Sequence, residues 1–450
     1  MIILFFIQFI YQIICISEIQ LDYKSNITYK YPKITIKKSK ILSLLKKNFS
    51  LNENEDTNFT FSNENLITCD IKFGSKLSKF TVVFDTGSII LWIPGKECTT
   101  SKGTPLPITF DPDTSSTIKK TSDDFSIEYG TGYCTGTYYI DYINFANKNV
   151  SMKFGLAKIA DFDVKDAIGI LGVSRKSSNE GDDVLIFYQM FNQKKISDKT
   201  FSLYKHPDKN IFTLYYDGYH DNFTKGKIEG GRGSCNLVNS NNYYKILWAC
   251  DVDIIYFGKA KKNLDDDKCI IFEETVIFDT GTNFILLSQK LENSFINKMK
   301  LTNDNCGRIL TDLGEYIACQ NISNIPDVNF IINENSYLIP KNFLWKKVNV
   351  LKNKEIYIMN IIFQSFGPNI IGTQFFEIYH TAFNQDKKKL SFYNPNKNYI
   401  ISVNTFWILN KNLKYFLIVL GILLVILIIV IIVYKIRSRK KYVARNPLIQ

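Results

Sequence analysis

The chain has 450 residues, 22% of them charged, with a formal net charge of +12. That length allows two or more domains with substantial cores. Six cations fall after residue 434 and residues 17–64 carry a further +2, so about +4 remains for the rest, and nothing in that balance calls for nucleic acid.

Met1 to Ile16 is apolar apart from Gln8 and Gln12 and is followed by Ser17-Glu18. It is too short to span a bilayer comfortably and reads as a secretory signal, residues 1–17. Residues 18–65 follow as a basic segment: 24–47 hold eight Lys and no acid, and Asn52 to Asn65 reads as a loop or cleavable linker. From Leu66 onward, short β-branched and aromatic runs alternate with Gly, Asn, Asp and Lys turns, as in Phe125–Tyr129, Thr137–Ile140 and Ile211–Tyr216. That spacing predicts a mostly β protein. Helices are expected only at Leu185–Asn192 and Gln289–Lys300.

Within the β region one phrase occurs twice, Phe84-Asp85-Thr86-Gly87 and Phe278-Asp279-Thr280-Gly281. Apolar residues lead into each copy, a hydroxyl follows (Ser88, Thr282), and a second apolar stretch comes next. Each copy reads as a buried strand, a tight turn with a carboxylate at its tip, and another strand. One such turn is commonplace. Two in equivalent contexts describe a duplicated lobe that brings two carboxylates together, with 66–225 as the first lobe, 226–400 as the second and their junction in 218–245.

After a stalk at 401–414, Tyr415 to Tyr434 runs twenty residues without a charge, enough to cross a bilayer. Lys435, Arg437, Arg439, Lys440, Lys441 and Arg445 follow with no acid among them. The positive-inside bias places the tail 435–450 in the cytosol against anionic lipid and the large domain in the lumen or outside, as a single-pass type I protein of the secretory pathway. Cys15 lies in the signal, leaving eight cysteines, an even number that suits disulfides in an oxidising compartment. A metal site is discounted, because no C-x-x-C occurs and the three His are scattered. Sequons at Asn26, Asn48, Asn58, Asn149, Asn222 and Asn321 are compatible with a lumenal route.

Further landmarks join the two turns. Trp92 lies in Leu91-Trp92-Ile93-Pro94, Tyr129 opens Tyr129-Gly130-Thr131-Gly132, and each half has an apolar-apolar-Gly element, Ile170-Leu171-Gly172 and Ile370-Ile371-Gly372. With Ile322–Asp327, these phrases make residues 66–400 resemble the pepsin family of aspartic proteases. The lysine- and asparagine-rich composition and the Pro32–Lys47 segment are similar, more loosely, to its plasmepsin-type branch.

The resemblance implies an all-β bilobal fold and an aspartic endopeptidase made as a zymogen, with 18–65 as prosegment. It further implies a monomer acting on protein or peptide substrates without metal or cofactor. Asp85 and Asp279 would be the catalytic pair. Thr86 and Thr280 would lock the turns across the lobes, and Ser88 and Thr282 would hold the outer carboxylate oxygens. Tyr129, with Gly130 and Thr131, would form the flap over substrate, its hydroxyl set by Trp92; Gly87, Gly281 and Asn283 would complete the cleft. The chain departs from the family at Ile89, Ile90, Ile168, Thr373 and Ala382-Phe383-Asn384. By family likeness Cys306 pairs with Cys319, and Cys134 is a candidate partner for Cys98 where Gly103 stands in the usual place. Cys250 and Cys269 are candidates to clip the hairpin leading into the second turn, and Cys69 and Cys235 remain unassigned. The alternative is an inactive binding or receptor-like membrane protein of the same fold.

Overall fold

The computed structural model describes residues 57–61, 66–130, 132–161, 167–176, 182–206, 211–217, 231–239, 243–301, 306–311, 314–350 and 354–445. The expected signal and nearly all of the basic segment lie outside these residues, as does the expected lobe boundary at 225–226. Strands dominate. The helices expected from sequence appear as Ile186–Asn192 and Glu292–Met299, the latter preceded by a 3-10 turn at Gln289–Leu291.

Each half is built around the same threaded arrangement. Ser78–Asp85 is apolar on both faces over its last residues, with Val82, Val83 and Phe84 all buried, as a strand covered on both sides must be. It pairs in parallel with Ile170–Gly172, setting Asp85 opposite Gly172. The returning strand, Leu91–Thr99, pairs antiparallel with the other edge of that short strand. The second half repeats this: Cys269–Phe278 runs parallel to Asn369–Ile371, and Ile285–Ser288 runs antiparallel on its other side. Both carboxylate turns therefore emerge where a third strand passes between outgoing and returning chain.

The halves share one sheet. A 13-stranded sheet takes in the whole first half and continues into strands of the second. The crossing is Phe201–Lys205 against His380–Asn384, with Phe201 opposite Phe383. An aromatic seam fills the space behind the turns: Phe201 stacks on Phe187 at 4.4 Å and on Phe383 at 4.7 Å, and meets Phe84 edge-on at 5.8 Å. Burial of each such side chain contributes about 2 kcal/mol, so the seam fixes the base on which the turns stand. An eight-stranded sheet and a four-stranded sheet, the latter within residues 306–359, form the rest of the second half.

The proposed stalk is not a free tether over its first part. Ile400–Ser402 pairs with Asn335–Ile339, and Val403 N donates to Glu334 O at 2.9 Å. Asn404 N donates to Lys262 O at 2.7 Å, and Ile408 is buried against Ile254, Tyr256 and Leu264. Apolar residues at 400, 403 and 408 draw the chain onto the second lobe, so the body runs to Leu409. A single helix, Lys411–Arg445, follows; its stretch Phe416–Arg437 is long and apolar enough to cross a membrane, and none of it is buried in the body.

The cysteines require two corrections. Cys306 and Cys319 face each other in a hairpin and are bonded, with Cα atoms 4.0 Å apart. Cys250, however, bonds Cys235 and not Cys269. Register explains this, because Cys250 stands opposite Val276 while Cys269 stands opposite Tyr256. The two positions are at opposite ends of the hairpin, roughly 20 Å apart at strand rise. Cys98 and Cys134 are both buried free thiols. The strand Lys148–Ala160 runs between theirs, with Cys134 opposite Ala160 and Thr99 opposite Ile159. The two thiols share one buried cluster, close enough for Cys98 to act on the Cys134 thiol, yet no bond joins them.

Candidate active site

The two Asp-Thr-Gly turns meet face to face. A Cβ added to Gly87 would lie 2.7 Å from Asp279 Cγ, and one added to Gly281 would lie 2.4 Å from Asp85 Oδ1. Each turn's glycine is thus pressed against the other turn's carboxylate, and only glycine leaves room for this approach. The carboxyl groups touch one another. Asp85 and Asp279 are 6% and 8% exposed, so the pair opens to solvent by a narrow margin.

Behind the carboxylates the two threonines exchange hydrogen bonds. Thr86 N donates to Thr280 Oγ1 at 3.0 Å, and Thr280 N donates to Thr86 Oγ1 at 3.0 Å. Thr86 Oγ1 donates to Phe278 O at 2.9 Å, and Thr280 Oγ1 to Phe84 O at 2.6 Å. Both threonines are fully buried, so four polar groups that burial would otherwise leave unpaired are satisfied across the seam.

The carboxylates are supported unequally. Gly281 N donates to Asp279 Oδ1 at 2.8 Å, and Thr282 Oγ1 to Asp279 Oδ2 at 2.6 Å. Asp85 Oδ1 receives Gly87 N at 2.8 Å. Ser88 Oγ sits near Asp85 yet is buried without a hydrogen bond of normal geometry. Burial raises Asp85 well above the usual carboxylate range; the adjoining Asp279 adds to the shift by its charge and by their hydrogen bond, and Ser88 and Gly87 offset it only in part.

Over this pair stands the hairpin Lys119–Tyr129 and Gly132–Phe145, with Tyr129 opposite Gly132 at its tip. Gly130 is exposed there, and Thr131 lies outside the described residues. Trp92, fully buried, donates from Nε1 to Tyr129 Oη at 2.7 Å, which leaves the phenol proton free to donate elsewhere. Burial, then the charge of Asp85, holds the Tyr129 phenol above its ordinary range, so it stays neutral. Asn283 is tied by its carbonyl, which accepts from Gln374 Nε2 at 2.5 Å.

The structure thus brings together Asp85, Asp279, Thr86, Thr280, Thr282, Gly87, Gly281, Trp92 and Tyr129. Sequence reading missed Trp248, whose Nε1 donates to Val173 O at 2.9 Å, and Arg175, buried beside it. No local motif marks either one; their partners are more than 60 residues away.

A two-carboxylate site between paired lobes is the arrangement that marks the aspartic protease class of folds. The family profile of eukaryotic aspartyl proteases matches residues 68–394, and the chain belongs to that family. It is 30% identical over 287 residues to Pepsin II-1 of Oryctolagus cuniculus, covering 60% of this chain and 65% of that protein. It is 29% identical over 336 residues to Pepsin II-2/3 of the same species (71% and 78%) and 29% identical over 318 residues to Cathepsin E of Cavia porcellus (66% and 74%).

Proposed function

We propose that the chain is an active aspartic endopeptidase in which Asp85 is the protonated and Asp279 the ionised member of the pair. The observation that carries this reading is the contact of the two carboxylates, each closed in by the other's turn glycine. Two carboxyls in contact cannot both ionise cheaply, so they share a proton. Charge settles on Asp279, where two donors meet it.

Asp279 takes a proton from a water held between the two groups while the water oxygen bonds to the scissile carbon. Asp85 gives its proton to the carbonyl oxygen, yielding a gem-diol. Collapse returns one gem-diol proton to Asp85, Asp279 protonates the leaving nitrogen, and the C–N bond breaks. Tyr129, its hydroxyl oriented by Trp92, closes over the substrate.

Around this core we place a zymogen and a membrane anchor. The lysine-rich segment 24–47 suits a cleft centred on carboxylates, and acidification weakens such contacts. The helix Phe416–Arg437 with its cationic tail fits a type I anchor of the secretory pathway, the body facing the lumen. Protein or peptide substrates follow from the family.

Hydrolysis of a quenched peptide at acid pH, abolished by a statine-type inhibitor, tests the core reading; a well-folded protein with no hydrolysis under any processing regime refutes it and leaves the inactive binding protein. A protein beginning at Glu18 that is fully active at pH 7 without cleavage refutes latency. Extraction by alkaline carbonate refutes the anchor.

A further inference from the structure

The stretch Val173–Arg175, just beyond the first apolar-apolar-Gly element, joins the halves at a place the hydrolytic steps do not touch. Val173 N donates to Asp85 O at 2.8 Å and Ser174 N to Ser88 O at 2.9 Å, so this stretch holds the backbone of the first Asp-Thr-Gly turn. The second half holds it from the far side. Trp248 Nε1 donates to Val173 O, Arg175 N donates to Ile246 O at 2.8 Å, and Ser174 Oγ donates to the same carbonyl. Phe278 N donates to Trp248 O at 2.8 Å, and Thr86 Oγ1 donates to Phe278 O. A ring of hydrogen bonds therefore runs through Asp85, Val173, Trp248, Phe278 and Thr86, crossing between the halves twice.

Arg175 anchors this ring. Its side chain is 2% exposed, and its guanidinium donates to Val238 O at 3.1 Å, Leu247 O at 3.2 Å and Asn239 Oδ1 at 2.7 Å. No carboxylate pairs with it among the described residues, and its Nε has no partner there. A buried cation without a counter-ion is costly, and an apolar side chain would fill the volume at less expense of desolvation. What only arginine supplies is a rigid planar fork that reaches several acceptors at once. All three acceptors lie in the segment closed by the Cys235–Cys250 disulfide, with Val238 N bound to Ala249 O at 2.9 Å across its neck.

We propose that Arg175 is a positioning residue for the carboxylate pair: by gripping the disulfide-closed segment between Cys235 and Cys250, it fixes the Val173–Arg175 stretch and sets the Asp85 turn against the Asp279 turn. The proposal rests on the hydrolytic reading above. Arg175 reaches the Asp85 turn through the backbone bonds of Val173 and Ser174, so its influence passes through backbone position. The Cys235–Cys250 bond acts by the same route, holding the acceptors still.

The test compares Arg175→Met, Arg175→Lys, Asn239→Ala and the double variant Cys235→Ser/Cys250→Ser with the parent. Two quantities are read: kcat and KM on a quenched peptide, and amide hydrogen exchange at Thr86 and Thr280. Arg175→Met should lower kcat by about tenfold to a hundredfold, the scale of a small displacement of reacting groups, with KM changed less than about threefold. Exchange at both threonine amides should quicken. Arg175→Lys should recover part of the kcat loss, because an ammonium reaches some of the acceptors. Asn239→Ala and the double serine variant should show smaller losses in the same direction. An Arg175→Met protein with kcat within about twofold of the parent overturns the proposal. So does a loss of rate with unaltered exchange at Thr86 and Thr280, which assigns Arg175 to general stability. If Arg175→Met does not fold, unchanged kcat and exchange in both Arg175→Lys and Asn239→Ala overturn it equally. If the parent itself shows no hydrolysis, the functional reading fails and exchange alone decides: no quickening at either threonine rejects the latch.

Discussion

The two Asp-Thr-Gly turns agree in backbone and in the reciprocal threonine bonds, and they part at the residue that follows. In the second turn Thr282 Oγ1 holds Asp279 Oδ2; in the first, Ser88 Oγ is buried beside Asp85 without a normal hydrogen bond. Threonine is branched at Cβ and has few χ1 choices, so its hydroxyl stays aimed, whereas serine rotates more freely. The two turns thus differ at this position by one methyl group. The halves also differ above the pair, since the described hairpin bearing Tyr129 belongs to the first.

The strongest test of this comparison replaces the carboxylates themselves. Asp85→Asn and Asp279→Asn should each cut kcat/KM by about 10⁴-fold or more, and the double variant should lose little further, because the pair acts as a unit. Hydrolysis by either single variant within tenfold of the parent would sink the assignment.

The symmetric part of the comparison is tested by stability. Thr280→Val leaves Thr86 N–H and Phe84 C=O unpaired, and Thr86→Val does the same to Thr280 N–H and Phe278 C=O. Each should cost about 2–4 kcal/mol of unfolding free energy, measured by denaturant titration. Costs that differ by more than about 2 kcal/mol would show that the two grips are not equivalent.

The asymmetric part is tested by pH. Activity needs one proton on the pair, so it should fall as pH rises through the elevated pKa of Asp85 and fall again at low pH once the pair as a unit takes up a second proton. Thr282→Val removes a hydroxyl donor that favours the singly ionised form of the pair, so the acid limb of kcat/KM should move to higher pH, with about a tenfold loss of rate. Ser88→Ala should cost less than about threefold and leave that limb in place. Equal effects at the two positions would erase the distinction drawn between the turns.

A smaller effect than that of Thr282→Val is expected at the flap. Tyr129→Phe takes the acceptor from Trp92 Nε1–H and should lower kcat/KM about fivefold, or ~1 kcal/mol. An unchanged rate would mean that the Trp92 bond orients nothing the reaction uses.

Much of this architecture was legible along the chain. Runs such as Val82-Val83-Phe84 before Asp85 and Val276-Ile277-Phe278 before Asp279 describe strands buried on both faces, and the repeated phrase announces paired halves. The helix at Ile186–Asn192 and the apolar span from Phe416 were readable for the same reason: each signal is local and periodic. The cysteines were not. Whether Cys250 meets Cys235 or Cys269 depends on strand register, and a position at one end of a hairpin cannot be told from the other by residue type. The packed stretch at Ile400–Leu409 looked like a stalk because its few apolar residues have meaning only against Ile254 and Leu264.

The sequence by itself determined the turns, their flanking strands and the identity of the two carboxylates, because these depend on a repeated short phrase and on apolar runs that act over a few residues. Only the tertiary structure decided that the two carboxyls come into contact, where the disulfides close and that Arg175 lies between the halves. Those outcomes depend on groups as far apart in sequence as Thr86 and Thr280, whose separation of 194 residues only the packed sheet and its aromatic seam remove. Burial then sets the energies: an arginine without a counter-ion among the described residues has consequences only once water has been excluded.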